Sequence, residues 1–98
     1  MRRIEWSLEA QTNLNNVIAF LENEWTEKEL RNFSERLETQ LLIIQQTPEI
    51  YKNSLRKEGL RECLVTKHST LFYSYDDEKL QIVTIFDNRQ DPEKLESI

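Results

Sequence analysis

An α+β fold in the order β-α-α-β-β-β is predicted by three features of the chain. Two amphipathic helical stripes follow each other almost without a break between about residues 8 and 46, so the helices must fold back as an αα-hairpin. Three β-branched and aromatic runs, separated by short polar connections, fill residues 60 to 86. One short alternation, Arg3-Ile4-Glu5-Trp6, precedes the helices and reads as an N-terminal strand. The expected architecture lays the hairpin on one face of a twisted sheet whose last three strands form an antiparallel meander. The 98 residues form a single domain spanning 1–98, because domains typically run to ~100–150 residues and two cores could not be built.

Each element has a local cause. Ser7 is placed to cap a first helix over about residues 8 to 24, on which Leu14, Val17, Ile18, Leu21 and Trp25 make one apolar stripe. Thr26-Glu27-Lys28-Glu29 is a capping box that opens the second helix, and Thr26→Ala should cost ~1 kcal/mol. Its stripe is Leu30, Phe33, Leu37, Leu41 and Ile44, and Thr47-Pro48 ends it because the residue before proline avoids the helical region. Residues 49 to 59 form a linker ending at Gly59, the only glycine, whose presence implies a backbone requirement. The strands are expected at 60–65, 71–75 and 80–86, with Leu71, Tyr73 and Tyr75 sharing one face as core or core-rim side chains. After the last strand, Asn88, Asp91 and Pro92 are turn formers that stop it.

Composition narrows the function. The single Cys63 allows no internal disulfide and no CxxC zinc motif, which fits a reducing compartment and the cytoplasm. No stretch approaches the ~20 apolar residues of a membrane span. Neither a cofactor nor a metal site is expected, since the acidic clusters Asp76-Asp77-Glu78 and Glu22/Glu24 read as turn and helix-end charges. The net charge of −5 argues against a general polyanion binder. Its distribution is uneven: 55–70 carries Arg56, Lys57, Arg61 and Lys67 against Glu58 and Glu62, whereas 8–49 and 71–98 are both acidic. That one basic island, with His68 beside it, is where a partner surface is expected.

The segments IEWSLEAQTNL, TEKE, QTPEIY, GLRECLVTKHSTLFYSY and IVTIFDNRQDPEKL resemble the RelE/ParE superfamily of type II toxin–antitoxin toxins, and its ParE branch more than the RelE branch. The most specific pieces are the first strand followed by S-x-E-A, the G-L-R at the second strand, and the terminal R-Q-D-P. The resemblance covers nearly the whole chain. It implies a RelE/ParE-like toxin domain held inactive by a cognate antitoxin, alone or in a homo- or hetero-oligomeric complex, with DNA gyrase as the target if ParE-like. If RelE-like, it implies ribosome-dependent cleavage of mRNA.

Cleavage of RNA by its own 2′-OH needs a base, an acid and cations against the phosphorane charge. Arg61, His68 and Arg89 are the residues that could supply them, with Lys67 or Lys57 as added point charges. His68 also reads as an ordinary loop histidine, and Arg61 as an anchor pairing with an acid across the sheet or with Asp91. Docking on a ribosome demands a cation for each phosphate contact, and this acidic chain offers one island. Protein binding through Arg56, Lys57, Arg61, Lys67 and Arg89 is therefore the favoured expectation, with an inactive interaction remnant as the further alternative. An antitoxin tail is expected to seat by strand addition at a sheet edge and as a helix in a groove beside the hairpin.

Overall fold

The computed structural model describes residues 1–24 and 26–88. Its elements are β1 (Arg3–Trp6), α1 (Leu8–Glu24), α2 (Glu27–Gln46), a 3₁₀ turn (Pro48–Ile50), β2 (Arg61–Thr66), β3 (Ser69–Tyr75) and β4 (Lys79–Asp87). This is the expected order of elements, with β2 shifted by one residue and β3 and β4 each two residues longer than their apolar runs. The extension shortens the β2–β3 connection to Lys67 and His68.

The sheet order is β1-β4-β3-β2, with β2, β3 and β4 antiparallel as a meander and β1 parallel to β4. The helical hairpin carries the chain from β1 across the sheet to β2 at the opposite edge, and the meander returns β4 to lie parallel beside β1. Ser7 joins the two layers, because its hydroxyl accepts from Ala10 N–H at 2.9 Å as the α1 cap and donates to Val83 carbonyl at 2.6 Å. Thr26 caps α2 from the extended region and accepts from Glu29 N–H at 3.4 Å.

One core lies between the layers. Ala10 of α1 and Phe33 and Ile44 of α2 meet Cys63, Val65, Leu71, Tyr73, Leu80, Ile82 and Ile85 of the sheet. Leu14, Val17, Leu21, Leu37 and Leu41 pack around them, so both predicted stripes face inward; Trp25 lies outside the described residues. The buried Tyr73 donates its hydroxyl to Pro48 carbonyl at 2.6 Å, which fixes the end of α2 over the sheet. On the opposite face of the sheet a smaller cluster joins Leu60, Phe72 and Phe86.

The stretch that reads as a linker is built into the sheet's margin. Asn53 bridges Arg61 in antiparallel fashion, Ser54 N–H donates to Leu60 carbonyl at 2.7 Å, and Glu62 N–H reaches Lys52 carbonyl at 3.4 Å. Gly59 closes the loop with φ of 85°, a left-handed conformation that costs an L side chain about 1–2 kcal/mol. The inferred backbone requirement at that glycine is thus met.

Candidate functional site

The basic island folds into a groove and a loop at the outer edge of β2. Tyr51, Arg56, Glu62, Leu64, Thr70 and Asn88 line an open groove of about 460 Å³. Glu62 lies at its centre: Arg56 Nη2 stands 2.6 Å from Oε1 and Nε 3.4 Å from Oε2, while Ser54 hydroxyl donates to Oε2 at 2.5 Å. The Arg56 guanidinium also sits 5.4 Å above the Phe72 ring. The hydrogen bond from Arg56, assisted by Ser54, holds the Glu62 carboxyl below its ordinary range despite partial burial. Glu62 therefore stays ionised at neutral pH, where it acts as a clasp and not as a proton donor.

The far end of the groove is tied by Asn88. Its N–H donates to His68 carbonyl at 2.8 Å, its side-chain amide to Lys67 carbonyl at 3.3 Å, and its Oδ1 accepts from Thr70 hydroxyl at 2.8 Å. The turn former that ends β4 thus binds the β2–β3 turn. Arg89, Asp91 and Pro92 follow it and lie outside the described residues.

Arg61 is on the other side of the sheet. It pairs with Tyr73 on the helix-facing side, donates to the carbonyls of Tyr51 and Glu49, and stacks 5.6 Å from the Tyr75 centroid. Tyr75 is held from a second direction by Arg2 at 5.3 Å, so Tyr73 is a core residue and Tyr75 a rim residue, as expected. The partners of Arg61 are backbone carbonyls and a ring; the expected acid across the sheet is absent among the described residues.

His68 sits past the opposite end of β2 from Arg61. Five strand residues at ~3.4 Å each separate Arg61 from Thr66 by about 17 Å, before the turn is counted. With its guanidinium fastened to the Tyr51 and Glu49 carbonyls and stacked on Tyr75, Arg61 does not converge with His68 on one phosphate in this arrangement. The described part of the supposed nuclease set is not brought together. Lys67 is exposed in the turn beside His68, whereas Lys57 is half-buried at the base of the 53–59 loop, where its N–H donates to Ser54 Oγ at 2.9 Å.

Beneath β2 lies a buried polar knot. Tyr51 hydroxyl and the Cys63 thiol both donate to Gln40 Oε1, the thiol at 3.3 Å. Burial pushes Cys63 up to about 12 and raises Tyr51, so both remain protonated and neutral. Among the described residues no group of His, Cys, Asp and Glu is arranged to hold a metal ion, and no helix is long and apolar enough to cross a membrane.

The two sheet edges are not equally open. Gln45 and Gln11 donate their side-chain amides to Arg2 carbonyl at 2.6 Å and Trp6 carbonyl at 3.1 Å, blunting β1. Lys52–Ser54 cover the first half of β2. The exposed Leu64 lies beyond that cover. Sequence reasoning missed Ser54 and Glu62; a serine followed by polar residues two and three positions on is an ST-turn signal that could have found the loop.

An αα-hairpin crossing over to a parallel edge strand of a four-stranded sheet defines a small RelE/ParE-type fold. Solved structures agree. A chain of the chromosomal ParDE toxin–antitoxin system from P. aeruginosa matches with a TM-score of 0.72 at 13% identity, over 89% of this chain and 96% of that one. The E. coli DinJ–YafQ toxin–antitoxin complex matches with a TM-score of 0.62 at 14% identity, over 90% and 93%. YafQ from E. coli strain BL21(DE3) gives 0.57 at 22% identity, over 91% and 96%. No curated protein matches the chain in sequence. Residues 4–92 match the family of ParE toxins of the type II toxin–antitoxin system parDE, and the chain belongs to that family.

Proposed function

We propose that this toxin inhibits growth by binding a protein target, DNA gyrase, in the cytoplasm and that a cognate antitoxin encoded beside it neutralises it. The observation that carries the reading is the separation of Arg61 from His68 at opposite ends of β2. It supports binding over RNA cleavage, because Arg56 and Arg61 are spent on holding a shaped surface. Arg56 shapes the groove, Arg61 anchors the segment after α2, and Lys67 supplies charge at the far end, with Arg89 the further target-binding cation in this reading. Membership of the ParE family supports gyrase as the target.

An antitoxin supplying an extended segment would find β1 blunted and the Leu64 end of β2 open, with the groove beside it for apolar side chains. The test is induced expression in a bacterial host, alone and with the adjacent open reading frame. Growth arrest with intact mRNA and altered plasmid supercoiling, relieved by a co-purifying partner, is expected. Codon-phased mRNA cuts would overturn gyrase binding in favour of a ribosome-dependent endoribonuclease, and unimpeded growth would identify an inactive interaction remnant.

A further inference from the structure

We propose that the 53–59 loop is a preformed recognition element whose tip, Leu55, enters an apolar socket rimmed by carboxylates on the folded protein that the toxin targets. This rests on the toxin reading above and adds the contact through which the target is held. Leu55 is exposed to 103% of its reference area. A single exposed leucine needs no explanation on a mobile loop, but this loop is pinned at every turn. Ser54 Oγ accepts from the N–H groups of Arg56 at 3.0 Å and Lys57 at 2.9 Å and donates to Glu62. Leu60 N–H donates to Lys57 carbonyl at 3.2 Å, and Ser54 N–H to Leu60 carbonyl at 2.7 Å. Arg56 is clamped between Glu62 and Phe72. Gly59 provides the left-handed residue that lets the loop close.

The polar groups around the tip thus hold an aliphatic side chain out in water. Such preorganisation lowers the entropy lost on binding and contributes nothing to the core, so its physical benefit appears only in a complex. Shape and charge define the partner. A projecting knob requires a concave, folded surface, whereas a disordered antitoxin tail would lie along a groove. Lys52 and Lys57 flank the tip against Glu58, the Arg56–Glu62 pair cancelling itself, in a chain of net charge −5. Acidic groups around an apolar socket complement that arrangement. Nucleic acid is disfavoured by the acidity of the rest of the molecule.

The test compares the full-length wild type with Leu55→Ser, Leu55→Met and Ser54→Ala, induced in a bacterial host and purified with the antitoxin of the adjacent reading frame. Leu55→Ser should raise plating efficiency at least 100-fold over wild type while melting temperature and antitoxin affinity stay unchanged. Leu55→Met should restore inhibition to within threefold of wild type. Ser54→Ala, which loosens the loop but keeps its tip, should fall between them. Inhibition by Leu55→Ser equal to wild type would overturn the proposal, as would a parallel loss of antitoxin affinity, which would place the tip in the antitoxin interface. A non-inhibitory wild type would instead remove the toxin reading itself.

Discussion

The guanidinium of Arg61 donates to the carbonyl of Tyr51, tying the first residue of β2 to the segment that leaves α2. The same side chain stacks on Tyr75, so it joins three parts of the chain distant in sequence. Charged donors to backbone carbonyls contribute ~1.5–3 kcal/mol, discounted here because Arg61 is part-exposed. Arg61→Ala should cost about 1–2 kcal/mol and lower the melting temperature by ~5–15 °C. Arg61→Lys should recover less than half of this, since an ammonium cannot bridge two carbonyls and stack at once. Thermal denaturation followed by circular dichroism measures both, and an unchanged midpoint for Arg61→Ala would refute the anchoring role.

The Arg56–Glu62 pair should show measurable coupling. It is a 2.6 Å contact reinforced by Ser54, but both side chains are part-exposed. A double-mutant cycle with Arg56→Ala and Glu62→Ala should give about 0.5–1.5 kcal/mol of interaction energy. The carboxyl is held below its ordinary value mainly by the hydrogen bond from Arg56, so its folded form binds fewer protons than the unfolded chain near the usual carboxylate range. Its stabilising contribution is therefore complete above about pH 4.3 and disappears as the pH falls through the lower folded value. Urea titrations between neutral and acid pH should show Glu62→Gln with a shallower acid loss than wild type.

Cys63 predicts the opposite limb. Burial pushes its thiol up to about 12, against ~8.5 for an exposed cysteine. Between those values the unfolded chain loses the proton and the folded chain keeps it, so stability falls as pH rises from about 8.5. The slope attributable to this thiol should approach ~1.4 kcal/mol per pH unit and vanish in Cys63→Ala. Native protein at neutral pH should react with a thiol reagent only at the rate of opening, since the side chain is fully buried, and denaturant should accelerate the reaction by orders of magnitude. Prompt labelling of native protein would contradict this packing.

Much of the architecture was legible because its signals are local. Ser7, the Thr26 box, Thr47-Pro48 and Gly59 each specify a boundary through backbone chemistry within four residues, and each boundary falls where that chemistry puts it. The meander was legible for the same reason, its connections being short. The parallel docking of β1 on β4 was not, because nothing in Arg3–Trp6 marks which edge it joins; that depends on where the hairpin crosses the sheet. The pairing of Asn53 with Arg61 was hidden in a polar stretch lacking β-branched residues, and without it Arg61 read as free to meet an acid or a phosphate. The cations could be counted from the sequence, but which of them are bound by the fold could not.

That distinction yields a last prediction, concerning Arg89. It immediately follows Asn88, which three hydrogen bonds fasten to Lys67, His68 and Thr70 beside the groove. With Arg61 and Arg56 engaged by the fold, we propose that a target is met by Lys67, exposed in the β2–β3 turn, and by Arg89, the next residue in sequence after Asn88. Arg89→Ala should abolish growth inhibition while moving the melting temperature by no more than ~4 °C, corresponding to ~1 kcal/mol or less in a domain of this size. Lys67→Glu should weaken inhibition in the same way, and the two substitutions together should add nothing to Arg89→Ala alone. Arg61→Ala should differ in kind, losing inhibition only in proportion to the folded protein lost. Growth curves paired with melts on the same variants separate the two patterns, and a collapse of stability in Arg89→Ala would show that its guanidinium serves the fold.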